Sequence, residues 1–210
     1  MTHAPPATPR PKRADAQKNF ERLLAVARTV IAEQGVTASL RDVARRAGVG
    51  LGTLYRHFPT REALLEVILR TGFDELTASA RALERSAAPG DALASWLRDF
   101  VAHASAYRGL STSMIAVLKD KHSALHDSCV AMRSAGAHLL ARAQQAGVVR
   151  PDLDGTDVFA LVAALSWIGD QPALEQRAAH LFDVVLSAVF VDQPRARKIG
   201  RIVWRPGALK

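Results

Sequence analysis

Apolar residues recur at three- and four-residue steps along most of the chain, the period of helices packed on one side. From residue 16, Phe20, Leu23, Leu24, Ala27, Val30 and Ile31 mark the first such face, and Gly35 stops it. Two short helices follow. Ser39 opens the first as N-cap, with Asp42 three residues on as in a capping box; Leu40, Val43, Ala44 and Ala47 form its apolar face. The second runs from about Gly50 to Phe58, and Pro59 blocks its continuation. Thr60 caps a long helix that Leu64, Leu65, Ile68, Phe73, Leu76 and Leu83 carry to about Arg85.

Pro89-Gly90 breaks the pattern, and Asp91 is the expected cap of a helix through Leu93, Trp96, Leu97, Phe100 and Val101. A short apolar helix is expected after Gly109, through Met114, Ile115 and Leu118. A long one spans 123–146 and closes at Gly147. Asp154 caps the next, and Pro172 is the expected opening of the last. The pattern thus predicts nine helices. No segment shows two-residue alternation bounded by turns, so the fold class is all-α.

Charge divides the 210 residues unevenly. Residues 1–61 carry 11 Lys/Arg against 4 Asp/Glu, residues 62–193 carry 11 against 16, and residues 194–210 carry 6 against none. A basic head and a basic tail therefore bracket an acidic body. The overall charge of +8 and a pI near 10.4 point to a polyanionic partner, of which nucleic acid is the commonest. The single cysteine excludes an internal disulfide framework. No window approaches the roughly 18 consecutive apolar residues of a membrane span. No apolar stretch follows the N-terminal charges as in a signal peptide. The expectation is a cytoplasmic protein with no membrane partner.

Residues 1–15 hold four prolines and no large apolar residue beyond Met1, and are expected to form a disordered basic arm. Its Arg10, Lys12 and Arg13 suit either a phosphate backbone or plain solvation. The division that follows is a basic head at 16–76, a body at 77–191 and a basic tail at 192–210.

The most informative chemistry lies in residues 36–58. Two helices of seven or eight residues joined by Ala47-Gly48-Val49 have the spacing of a helix-turn-helix, whose second helix enters the major groove. Its leading positions are Gly50, Leu51, Gly52, Thr53, Tyr55, Arg56 and His57. The glycines permit close approach. Thr53, Tyr55 and His57 offer hydrogen bonds to phosphates, and Arg56 can fork onto a phosphate or a guanine edge. Leu54 and Phe58 face the core. Thr37, Ser39, Arg41 and Arg61 complete the expected DNA-facing set, with Arg45 and Arg46 raising the local potential.

The run from Gly35 to Leu65 resembles the tetracycline-repressor (TetR-type) family of transcriptional regulators. The resemblance rests on the Ala47-Gly48-Val49 turn, on Gly52-Thr53-Leu54-Tyr55 followed by His57-Phe58, and on Pro59, Arg61, Glu62, Leu64 and Leu65. The family pattern usually has Ser where Gly50 stands and Lys where Arg61 stands. Beyond about residue 70 the resemblance is one of layout, including the Gly147–Asp154 step before the last two helices. It implies an all-helical homodimer whose three N-terminal helices bind operator DNA and whose remainder binds a small ligand and dimerises.

For the ligand, Trp96, Phe100, His103, Tyr107, Met114, Phe159 and Trp167 combine large surfaces with a few polar tips, as in an apolar cavity with sparse anchors. The expected ligand is a small apolar or amphipathic molecule. For the dimer, Leu181, Phe182, Val185, Leu186, Val189 and Phe190, with Val158, Leu161, Val162 and Leu165, form a wide apolar face. That face suits an intersubunit four-helix bundle, with packing inside one chain as the other reading. No P-loop, zinc-protease or nucleophile-elbow pattern occurs, so no enzyme and no cofactor is expected. His122, His126 and Cys129 lie at helical spacing without a fourth ligand, so no metal site is expected either. A ligand-responsive repressor on a palindromic operator is one outcome; a sequence-nonspecific architectural DNA-binding protein without ligand is the alternative.

Overall fold

The computed structural model describes residues 10–35, 37–106, 123–171 and 173–191. Eight α-helices lie within them: α1 Arg10–Gln34, α2 Leu40–Arg46, α3 Leu51–His57, α4 Arg61–Leu83, α5 Pro89–Ser105, α6 Ala124–Gln145, α7 Gly155–Asp170 and α8 Ala178–Val189. A 3-10 turn, Glu175–Arg177, precedes α8. The only β pairing among the described residues is an isolated bridge of Val149 to Phe190, which pins the end of α8 to the segment after α6. The short helix expected after Gly109 lies outside the described residues.

In the head, Leu23, Ala27, Val30 and Ile31 of α1 meet Val43 and Ala44 of α2, Leu54 of α3 and Leu64 and Ile68 of α4 in one buried cluster. Each large side chain buried there contributes roughly 1.5–3 kcal/mol. Gly48 stands at φ +65° between α2 and α3, a left-handed conformation that a side chain disfavours, and Val49 N–H donates to Ala44 O at 3.0 Å to close the turn. Thr60 Oγ1 accepts from Ala63 N–H at 3.0 Å and starts α4 two residues after Phe58.

In the body, α4 packs along α6, α5 lies against α7 and α6, and α7 packs on α8. Trp96 of α5 is buried, and its indole N–H donates to the Leu76 carbonyl of α4 at 3.0 Å. Gly136 of α6 leaves room for the same ring: a Cβ there would lie 2.2 Å from Trp96 Cη2. Arg142 of α6 donates to the Leu83 and Ser86 carbonyls at the C-terminal end of α4, at 3.5 and 3.0 Å. Asp154 and Asp157 form a reciprocal capping box at α7.

Several boundaries differ from the sequence expectation. Helix α1 begins at Arg10, inside the segment expected to be a disordered arm at 1–15. Pro11 is compatible with this because amide groups in a first turn have no intrahelical partner. Ser39 caps α2, with its hydroxyl accepting from Arg41 N–H, but Asp42 pairs with arginines and Gln34 instead of closing a capping box. Pro89 takes the first position of α5, so Asp91 lies in its first turn and Ala88 is the N-cap. The last helix starts at Ala178, not near Pro172, because the chain first makes the 3-10 turn.

Candidate nucleic-acid interface

Helix α3 turns Leu54 into the head core, with Phe58 buried just beyond its end. That orientation leaves Gly50, Gly52, Tyr55, Arg56 and His57 exposed and Leu51 and Thr53 half-buried on the outer face. Gly50 has φ −66°, which any residue adopts, and a Cβ on Gly50 or Gly52 would meet nothing within 4 Å. What these two glycines supply is clearance outside the helix.

Beside α3 an open concavity of about 490 Å³ brings together Thr37, Ser39, Arg41, Leu51, Tyr55 and Arg61 from three separate segments. Hydroxyl groups, a phenol and two guanidinium groups converge there, the donor types that hold phosphate oxygens. Arg56 Nη2 donates to Thr53 Oγ1 at 3.1 Å, so these two side chains are presented as a unit. The His57 ring lies 5.8 Å from that of Phe20 and 6.2 Å from that of Phe58, which orients it against α1. The sequence reading missed Phe20 in this role. It also missed Glu62 on the wall of the concavity. First-turn backbone N–H bonding, with Arg61 at 3.6 Å, holds that carboxyl below its usual range.

The flanking arginines divide into two kinds. Arg45 pairs with Asp42, and Arg46 pairs with Glu33 at 2.6 Å and Asp42 at 3.2 Å. The Arg45 hydrogen bond, then that of Gln34, keeps the Asp42 carboxyl below its usual range. These two guanidinium groups therefore tie α2 to itself and to α1. Arg41 and Arg61 remain the cations of the concavity.

The expected ligand residues scatter. Trp96, Phe100 and His103 are buried and Phe159 half-buried, with ring centroids 5.2 Å apart for Trp96–Phe100 and 5.9 Å for Phe100–Phe159. Beside them lies a cavity of about 10 Å³, room for one water. Trp167 is 61% exposed on the outside of α7 and cannot line that cavity. Tyr107 and Met114 lie outside the described residues. Burial pushes the His103 imidazole down to about 4, which keeps it neutral near pH 7.

The residues expected on a dimer face lie largely within the fold of one chain. Val158, Val162, Leu165, Phe182, Leu186 and Val189 are buried within one chain, and Leu161, Leu181, Val185 and Phe190 are half-buried against the same core. The surfaces of α7 and α8 turned outward carry Ala160, Ala163, Ala164 and Trp167, and His180, Val184 and Ala188. Of the two candidate metal ligands that are described, Cys129 is buried, and burial pushes its thiol up. Among the described residues no three His, Cys, Asp or Glu side chains gather around a common point. None of the described helices is long and apolar enough to cross a membrane.

A small helical head that exposes a helix-turn-helix, joined through one continuous helix to a larger helical body, defines a DNA-binding regulator. Residues 23–68 match the bacterial regulatory proteins of the tetR family, and residues 88–189 match the C-terminal domain of SbtR-like transcriptional regulators. The TetR transcriptional regulator SCO0520 of Streptomyces coelicolor is 36% identical with a TM-score of 0.65, over 82% of this chain and 99% of that one. A TetR regulatory protein of Mycobacterium vanbaalenii is 34% identical with a TM-score of 0.63, over 86% and 100%. The transcriptional repressor KstR2 of Mycobacterium tuberculosis is 29% identical over 165 residues, 74% of this chain and 82% of that protein. The chain belongs to the TetR family of transcriptional regulators, and it is a DNA-binding transcriptional regulator.

Proposed function

We propose that two copies of this chain bind a near-palindromic operator and repress transcription until a small molecule enters the body. The observation that carries the reading is the concavity shared by Thr37, Ser39, Arg41, Tyr55 and Arg61 beside the exposed outer face of α3. Phosphate contacts from that concavity fix the docking of α3, and Thr53 and Arg56 are then placed to read bases.

Repression is the sign carried by the name of the KstR2 relative. A second copy accounts for the outer face of α7 and α8. Three of the five exposed large apolar residues among those described, Trp167, Val184 and Val191, lie on or at the end of this helix pair. The exposed alanines between them allow close approach of partner helices. Two heads on such a dimer must meet major-groove faces roughly 34–36 Å apart or a multiple of that.

Selection of bound fragments from random DNA, with sedimentation of the free protein, tests the reading. An inverted repeat recovered by a dimer is the expected result. Fragments without a shared sequence, or a monomer at micromolar concentration, overturn it.

A further inference from the structure

The slot between α5, α6 and α7 is walled by Trp96, Phe100, Met132 and Phe159, all apolar, and by one cation, Arg133. The Arg133 guanidinium rests 4.9 Å from the centre of the Phe159 ring. Among the described residues it has no carboxylate within ion-pair distance. The nearby Asp154 carboxylate accepts from the N–H groups of Thr156 and Asp157, at 2.7 and 3.0 Å, and attracts Arg133 only through space. Arg133 is exposed, so its charge stays solvated at the rim while its planar face covers the ring below.

The walls differ in mobility of placement. Trp96 is fixed by its hydrogen bond to α4 and by the absence of a side chain on Gly136; Phe100 is buried beside it. Phe159 is only half-buried. The present cavity of about 10 Å³ admits no organic molecule, so a ligand there requires a wall to move, and Phe159 is the least buried of its large apolar walls. A second apolar gap, between α5, α7 and α8, is lined by aliphatic and Phe side chains alone and has no group to orient a ligand.

Resting on the reading of a ligand-responsive regulator, we propose that the slot under Phe159 takes a small amphipathic carboxylate. Its apolar body replaces the Phe159 ring against Trp96, Phe100 and Met132, and its carboxylate meets Arg133 at the rim. An arginine fork suits a carboxylate better than any neutral head group, because both N–H···O bonds are charge-assisted. Occupancy reaches the head by a short route. Trp96 is bonded directly to the Leu76 carbonyl, and Leu76 lies about 22 Å along α4 from Arg61, at the helical rise.

The test uses the full-length protein, titrated calorimetrically with 4-phenylbutyrate and octanoate and with their primary amides. Operator release is followed by fluorescence anisotropy on a DNA fragment selected as above. The expected result is about tenfold tighter binding of each carboxylate than of its amide, the size of one charge-assisted contact. Arg133→Gln removes that preference and Arg133→Lys keeps part of it. Phe159→Ala, which opens the slot, tightens binding of both acids. Equal binding of acid and amide, a preference that survives Arg133→Gln, or no binding by any of the four overturns the proposal. If the amides release operator as well as the acids do, ligand control stands and the carboxylate site falls. If the acids bind through Arg133 while operator affinity is unmoved, the site stands and ligand control falls.

Discussion

The His103 imidazole occupies the space where a side chain on Gly72 would sit: a Cβ added to that glycine would lie 1.6 Å from His103 Nε2. Gly72 is in the middle of α4 and His103 near the end of α5, so the contact sets how closely these helices approach. Alanine in a helix interior is ordinarily better than glycine by up to about 1 kcal/mol. Here the overlap dominates. Gly72→Ala is expected to destabilise by roughly 1–3 kcal/mol. In a His103→Ala background the same change is expected to be neutral or stabilising. Urea unfolding of the wild type and the three variants checks the reversal of sign.

The same histidine gives stability a pH slope. Desolvation is the main cause of its lowered value, about 4; Glu75 pulls it up and Arg28 pushes it down, and those two form an ion pair at 2.9 Å. The unfolded chain takes up this proton near pH 6.5 and the folded chain near pH 4. Between those values the unfolded state binds more protons, so stability falls as pH falls and levels off below about 4. The full span is worth about 3 kcal/mol. The arginine-paired Asp42 and Asp152 carboxyls and the Asp154 carboxyl held by backbone N–H groups titrate below their usual range, so their loss comes at lower pH. His103→Gln is expected to flatten the slope of unfolding free energy between pH 6.5 and 4.

On DNA, Tyr55→Ala and Arg41→Ala are expected to weaken binding alike across sequences; Arg41→Ala is expected also to lower its salt dependence by about one phosphate contact, and Tyr55→Ala, which removes no charge, to leave it unchanged. Arg56→Ala and Thr53→Val are expected to change which sequences are selected, at roughly 1–3 kcal/mol for a lost bidentate base contact. Arg45→Ala is expected to leave the salt slope unchanged, since its charge is spent on Asp42. Titrations at three salt concentrations separate these groups.

Assembly and folding should separate on α7 and α8. Trp167→Glu with Val184→Glu places charge on outward side chains and is expected to yield folded monomers. Phe182→Glu buries a charge in the core of one chain and is expected to unfold the body. Circular dichroism with sedimentation distinguishes the outcomes; a dimer that survives the double substitution excludes this face.

Much of the head was legible in the sequence because short helices bounded by Ser39, Gly48, Gly50, Pro59 and Thr60 leave few alternatives. Which face of each helix looked inward was equally plain where a single apolar stripe exists, as with Leu54 and Phe58. The body was harder for a physical reason. Helices α7 and α8 are apolar on more than one side, with Ala160, Ala164, Trp167 and Val184 opposite Val162, Leu165, Phe182 and Leu186. Periodicity finds the larger residues first, and these turned out to fill the chain's own core. Ion pairs between helices, such as Arg46 to Glu33 and Arg28 to Glu75, span separations of 13 and 47 residues and leave no local pattern.

Helix α4 runs without interruption from the concavity beside α3 to the carbonyls held by Arg142. The boundary between head and body therefore falls within a rigid rod about 34 Å long, where the chain has no joint. Insertion of one residue between Leu65 and Leu76 would turn the head by about 100° and advance it by about 1.5 Å relative to the body. Hybrid regulators that graft this head onto another body must therefore be spliced in helical phase, and lengthening α4 one residue at a time offers a ruler for the operator spacing that the proposed dimer accepts.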